Sequence, residues 1–173
     1  MSIVETEQGV GLLWGLRDSF LSYARRVGAR VELGGGAGLV ADGDAFYFPL
    51  ADQSGFEVTA LSGVLLFDGR VRILAHHGAL DVRVVAPFLT VSPGLGVLSA
   101  RTRSGEGARR FDLVEADLPV PTCDGSTLMW SACETVLSSG GVGLFQARYG
   151  AGEPFAPIAA RIHWPESQPV VAG

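Results

Sequence analysis

Apolar residues open the chain in a helical rhythm. Leu12, Leu13, Leu16, Phe20, Tyr23, Ala24 and Val27 recur in steps of three and four, with Arg17, Asp18, Ser22, Arg25 and Arg26 between them. This spacing predicts a helix over 12–27, and Gly28 follows where a left-handed C-terminal cap belongs. Beyond it the pattern shortens to β-like runs at 45–48, 56–60, 63–67, 71–74, 80–85 and 88–91, with hairpin-type turn signals at Asp42-Gly43 and Asp68-Gly69. Residues 101–110 read as an exposed loop, and 111–115 as a strand. A second, shorter helix is expected over 126–139 on a stripe of Leu128, Met129, Ala132, Val136 and Leu137, stopped by Gly140-Gly141. Strands at 145–149 and 158–164 close the chain, and the tail after Pro165 is expected to be loose. Strands that do not alternate regularly with helices favour antiparallel pairing. The expected class is mainly β, with an N-terminal helix and a second short helix (α+β by content), in one domain over 1–173.

Composition narrows the chemistry. The chain has 173 residues, 47% hydrophobic and 18% charged, with 24 Gly. That excludes disorder and favours a packed core. All 13 basic residues are Arg, and Lys and Asn are both missing. Lysine Schiff-base chemistry and a phosphate-loop lysine are thereby excluded. A net charge of −5 argues against a general nucleic-acid partner. No run approaches the ~18 apolar residues of a membrane span, and no signal peptide is visible. The expected location is cytoplasmic, or extracellular or cell-surface if the sequence begins after a cleavage site. Cys123 and Cys133 are expected as reduced thiols.

Common enzyme templates fail. H-E-x-x-H, C-x-x-C, G-x-S-x-G and the phosphate-binding glycine loop with its lysine do not occur. Gly34-Gly35-Gly36-Ala37-Gly38 follows a predicted helix instead of opening one, which suits a turn into a strand. Two local motifs stand out. Ser19 and Tyr23 lie four apart, so a helix carries their hydroxyl and phenol on one face, one turn apart. His76-His77-Gly78-Ala79-Leu80-Asp81 sits at the entry to a strand. Alone, a tyrosine on an amphipathic stripe is more often core, and a His pair beside Gly more often a turn.

In order, the motifs resemble a family. The helix motif W-G-x-x-x-S-F-x-x-Y (14–23), the aromatic stretch Phe46-Tyr47-Phe48-Pro49, H-x-G-x-L-D (76–81), Leu98, and the stretch 143–150 with Pro157 beyond it resemble the HtaA-type haem-binding domain of actinobacterial haem uptake, over about residues 10–160. The resemblance implies haem b, as ferric protoporphyrin IX, with Tyr23 as axial iron ligand and His76 hydrogen-bonded to Tyr23. It implies Ser19 near a propionate and Phe145 or Tyr149 packed on the porphyrin. His77 stands beside the pair as an added ligand or proton-transfer group. A free phenol ionises near pH 10, so a phenolate ligand requires the metal and a hydrogen-bond donor to stabilise it. An anionic oxygen ligand suits ferric iron. The implied role is haem storage or transfer, with haem and a second haem-transfer protein as partners and the oligomeric state open. Two alternatives stand beside it: a cytoplasmic haem-dependent enzyme performing peroxide-type or biosynthetic oxidation on the same scaffold, and a non-haem binding module that kept the fold.

Overall fold

A computed structural model describes residues 9–40, 45–101 and 109–164. The turn signal at 42–43, most of the 101–110 loop and the tail after 165 lie outside these residues. The strands are β1 (Gly11–Trp14), β2 (Arg30–Gly34), β3 (Gly38–Leu39), β4 (Phe46–Asp52), β5 (Phe56–Glu57), β6 (Ser62–Phe67) and β7 (Arg70–Ala75). They continue as β8 (Leu80–Ser92), β9 (Gly94–Arg101), β10 (Arg110–Leu118), β11 (Thr122–Asp124), β12 (Thr127–Leu137) and β13 (Pro154–His163). Among the described residues two helices, α1 (Asp18–Arg26) and α2 (Ser139–Val142), complete the set with a 3-10 turn at His76–Gly78. The molecule is mainly β, as expected.

Antiparallel pairing runs β8-β9-β10-β12-β13-β1-β4-β6 and returns from β6 to β8, closing an eight-stranded barrel. Closure leaves no free edge among these strands. The long strand β8 serves two neighbours on one side. Its residues 88–91 pair with β6, and residues 80–85 pair with β7, which carries β2 on its outer edge. Ala86, at φ +45°, marks the break between the two halves. The expected strands 80–85 and 88–91 are therefore one strand with a kink. Inward-facing Leu12, Trp14, Phe46, Phe48, Leu65, Leu89, Leu98 and Ile162 fill the barrel.

The expected helix over 12–27 divides. Its first part is β1, held between β4 and β13, and only residues 18–26 are helical. Leu12 and Trp14 point inward as a strand alternation, and Leu16, at φ +60°, turns the chain between the two periods. Phe20, Leu21 and Ala24 then bury the helix on the barrel end. At its C-terminus Gly28 takes φ +67°, as the cap required.

The second expected helix is instead the strand β12. Its buried positions are Leu128 and Trp130, then Cys133, Thr135 and Leu137. A bulge with Ala132 at φ +47° switches the inward set from even to odd numbers. That switch imitates the three-and-four spacing of a helix. Gly140-Gly141 do not stop a helix but form one. α2 starts just before them at Ser139, capped by the Ser138 hydroxyl accepting from Gly141 N–H at 3.3 Å. A Cβ on either glycine would meet the Asp112 or Leu113 carbonyl oxygen at 2.6 or 2.5 Å, so no side chain fits. The expected strand at 145–149 is a succession of turns, with Gln146 and Ala147 both in the left-handed region. Residues 158–163 extend a strand that begins at Pro154. Cys123 and Cys133 are free thiols, as expected, the first exposed and the second buried, where burial pushes the thiol pKa up and disfavours the thiolate. Among the described residues no helix is long and apolar enough to cross a membrane.

Candidate functional site

Three segments meet at one end of the barrel. The end of β1 pairs with β13 at Trp14 and Ile158, and β12 pairs with the start of β13 at Thr135 and Phe155. α1, leaving β1, and the 143–150 turns, leaving β12 through α2, thus emerge beside each other. The third segment is the β7–β8 connection.

That connection is unusually tight. His76, His77 and Gly78 have φ of +51°, +56° and +92°, and Ala79 N–H donates to the His76 carbonyl at 3.1 Å. The left-handed conformation is unfavourable by roughly 1–2 kcal/mol for a residue with a Cβ, so the neighbouring β7–β8 ladder must hold it. Its anchor is Asp81, the last residue of the H-x-G-x-L-D motif. The Asp81 carboxylate accepts from Arg72 Nε at 2.9 Å and Arg83 Nη2 at 2.7 Å. These two guanidinium groups hold its pKa well below the usual carboxylate range. Arg72 also lies 3.6 Å from Glu32 on β2, extending the ion pairs across three strands.

The turn delivers His76 to α1. Tyr23 Oη and His76 Nε2 lie 2.8 Å apart and share a hydrogen bond at an exposed position. One turn earlier on α1, Ser19 Oγ lies 3.0 Å from Tyr149 Oη. The 143–150 segment therefore closes the other side of the site. Gln146 Nε2 donates to the Ala79 carbonyl, tying this segment to the His turn.

Each tyrosine ring carries an arginine. The Arg148 guanidinium lies 3.8 Å from the Tyr23 ring centroid, and that of Arg17 lies 4.3 Å from the Tyr149 centroid. The arrangement is reciprocal: the turn segment's arginine covers the helix tyrosine, and the arginine preceding the helix covers the turn's tyrosine. Arg17 also binds Glu153 at 2.8 Å, which lowers the pKa of that carboxyl and favours its charged form. Arg26 stands 5.9 Å from the Tyr23 centroid, so positive charge gathers at this edge of an acidic protein.

The expected site residues thus separate by environment. Tyr23, His76, Ser19 and Tyr149 converge at the surface. Phe145 lies beneath them, fully buried between Phe20 at 5.4 Å and Phe155 at 4.9 Å, as a floor under Tyr149. Of the two aromatic candidates, Tyr149 is the one that reaches the open edge. His77 is exposed and makes no hydrogen bond among the described residues. Arg17, Arg148, Gln146 and the anchoring role of Asp81 escaped the sequence reading. A hint for Arg148 was its place beside Tyr149, in a segment already singled out for its aromatics.

A cavity of about 490 Å³ opens beside the His turn, lined in part by Gly78, Arg83, Phe111, Gly143, Leu144 and Gln146. Neither Tyr23 nor His76 lines it. Among the described residues no group of three or more His, Cys, Asp or Glu is placed to hold a metal ion.

Residues 9–161 match the model of the family HtaA, described as Htaa. The fold is similar to the C-terminal domain of HtaA from Corynebacterium glutamicum, at TM-score 0.73 and 20% identity, covering 90% of this chain and 98% of that one. It is similar to the N-terminal domain of the same protein, at TM-score 0.68, 20% identity and the same coverage. It is also similar to the heme binding protein HtaB from that organism, at TM-score 0.64 and 16% identity, covering 88% of this chain and 92% of that one. No curated protein matches the sequence.

Proposed function

The chain belongs to the HtaA family, and on that premise we propose that it binds haem, holding ferric haem b through Tyr23 as axial ligand with His76 hydrogen-bonded to the ligand oxygen, for storage or transfer. The observation that carries this reading is the 2.8 Å Tyr23–His76 pair at an exposed edge, fixed by two left-handed histidines. Backbone strain of this kind persists where surrounding structure enforces it and is often found at functional sites.

The donor set fits the group. One phenol oxygen is too few to hold a bare cation, but with an imidazole hydrogen-bonded to it, it suits an iron whose other positions a macrocycle fills. Tyr23 would hold the iron, His76 would orient and stabilise the ligand oxygen, and Ser19 and Tyr149 would meet the porphyrin edge. The guanidinium group of Arg26, near the Tyr23 ring, adds positive charge at that edge, which suits propionates. When bound, ferric haem supplies a Lewis-acidic iron that prefers an anionic oxygen donor.

Titration of the haem-free protein with ferric haem, followed in the Soret region, tests the reading. Saturable one-to-one binding is expected, with Tyr23→Ala losing most of the retained haem and passing the remainder rapidly to an acceptor apoprotein. Equal retention by wild type and Tyr23→Ala would contradict it. Peroxide-dependent oxidation well above that of free haem would redirect the role from transfer to catalysis.

A further inference from the structure

Tyr23 has a fixed hydroxyl and a fixed ring, and different residues fix them. His76 holds the oxygen, while Arg148 lies on the ring face. Arg148 is exposed, yet its position is set on both sides in sequence. Gln146 is tied to the Ala79 carbonyl, and Tyr149 Oη is paired with Ser19. The other stacked arginine of the site, Arg17, is neutralised by Glu153. Arg148 has no carboxylate partner among the described residues, so its charge faces the Tyr23 ring without a counterion.

Resting on the haem reading above, we propose that Arg148 is a positioning residue for Tyr23, its guanidinium balancing the negative charge that the phenol oxygen carries as an iron ligand. An aromatic face attracts a cation through its quadrupole. Charge delocalised from a ligating oxygen into the ring strengthens that attraction. Arg148 therefore interacts more strongly with Tyr23 as a ligand than as a free phenol, and only such a difference shifts the equilibrium toward the bound state. Contact on the ring face also restrains rotation, so the oxygen meets the iron in one orientation.

The test compares wild type, Arg148→Gln and Arg148→Lys, each loaded with ferric haem and checked for native circular dichroism. Arg148→Gln is expected to release haem to excess acceptor apoprotein roughly tenfold faster. Its phenolate-to-iron charge-transfer band is expected at longer wavelength, because the ring's donor level rises when the cation leaves. Arg148→Lys, which keeps the charge, is expected to restore most of the band position. The same differences should persist with ferric haem dimethyl ester, which has no free propionates.

An unchanged band in Arg148→Gln overturns the inference. So does a dependence on Arg148 that vanishes with the dimethyl ester, which would make Arg148 a propionate contact. A wild-type complex lacking any phenolate band removes the Tyr23 assignment and this inference with it. A wild-type band that Arg148→Gln leaves in place removes the inference alone.

Discussion

The barrel wall and the rim that carries Tyr23 are built by different means. In the wall, backbone ladders close on themselves and large side chains such as Trp14, Phe46 and Phe48 are buried. In the rim, short segments far apart in sequence are joined by side chains: Tyr23 to His76, Ser19 to Tyr149, Gln146 to Ala79 and Arg148 over Tyr23. The rim also contains four non-glycine residues in the left-handed region, namely His76, His77, Gln146 and Ala147. The difference teaches that stability and ligand chemistry are separable here. Wall substitutions should act on folding, and rim substitutions on binding. Phe145 is the joint between them, buried in the core and touching Tyr149.

Mutations can break or sharpen that division. Phe48→Ala, in the wall, should cost about 3–5 kcal/mol in urea unfolding, through lost burial and a cavity. A loss below 1 kcal/mol would show that the wall is not the source of stability. Asp81→Asn, which weakens the anchor beneath the His turn, should cost about 1 kcal/mol. Its sign with pH follows from a carboxyl whose pKa is lowered by folding, so that the native state favours the charged form. The stability it contributes is complete above the ordinary carboxylate range near pH 4 and drains as pH falls toward the folded value. The wild type should therefore lose stability on acidification more steeply than Asp81→Asn, as seen in unfolding midpoints from pH 6 to pH 3.

Smaller effects should appear in the rim itself. Gln146→Ala should lower global stability by about 0.5–1 kcal/mol, while speeding amide hydrogen exchange in 143–150 and the 76–79 turn together. Faster exchange in only one of them would mean that the bond does not couple the two segments. His77→Ala should change stability by less than about 0.5 kcal/mol and leave haem release at the wild-type rate. A large change in release would place His77 in the ligand machinery.

Local periodicity was legible where one element obeys one period. Ser19 and Tyr23 share a helix face because they lie four apart within α1, and the His-Gly pair marked a tight turn. Two features defeated the same reasoning. β1 runs into α1 without a gap in apolar spacing, so a strand and a helix read as one helix. The bulge in β12 changed its inward parity and counterfeited a helical stripe. Arg17, Arg148 and Gln146 were out of reach for another reason. Each acts across segments separated by many residues, and nothing in its own neighbourhood encodes the ring or carbonyl it meets.

The most direct test of the central claim is the resonance Raman spectrum of the ferric haem complex, excited in the charge-transfer region. Coordinated-phenolate vibrations should appear in the wild type and vanish in Tyr23→Phe, whose fold the wall preserves. Phenolate modes that survive in Tyr23→Phe, or a wild-type spectrum without them, would contradict the assignment of Tyr23 as the iron ligand.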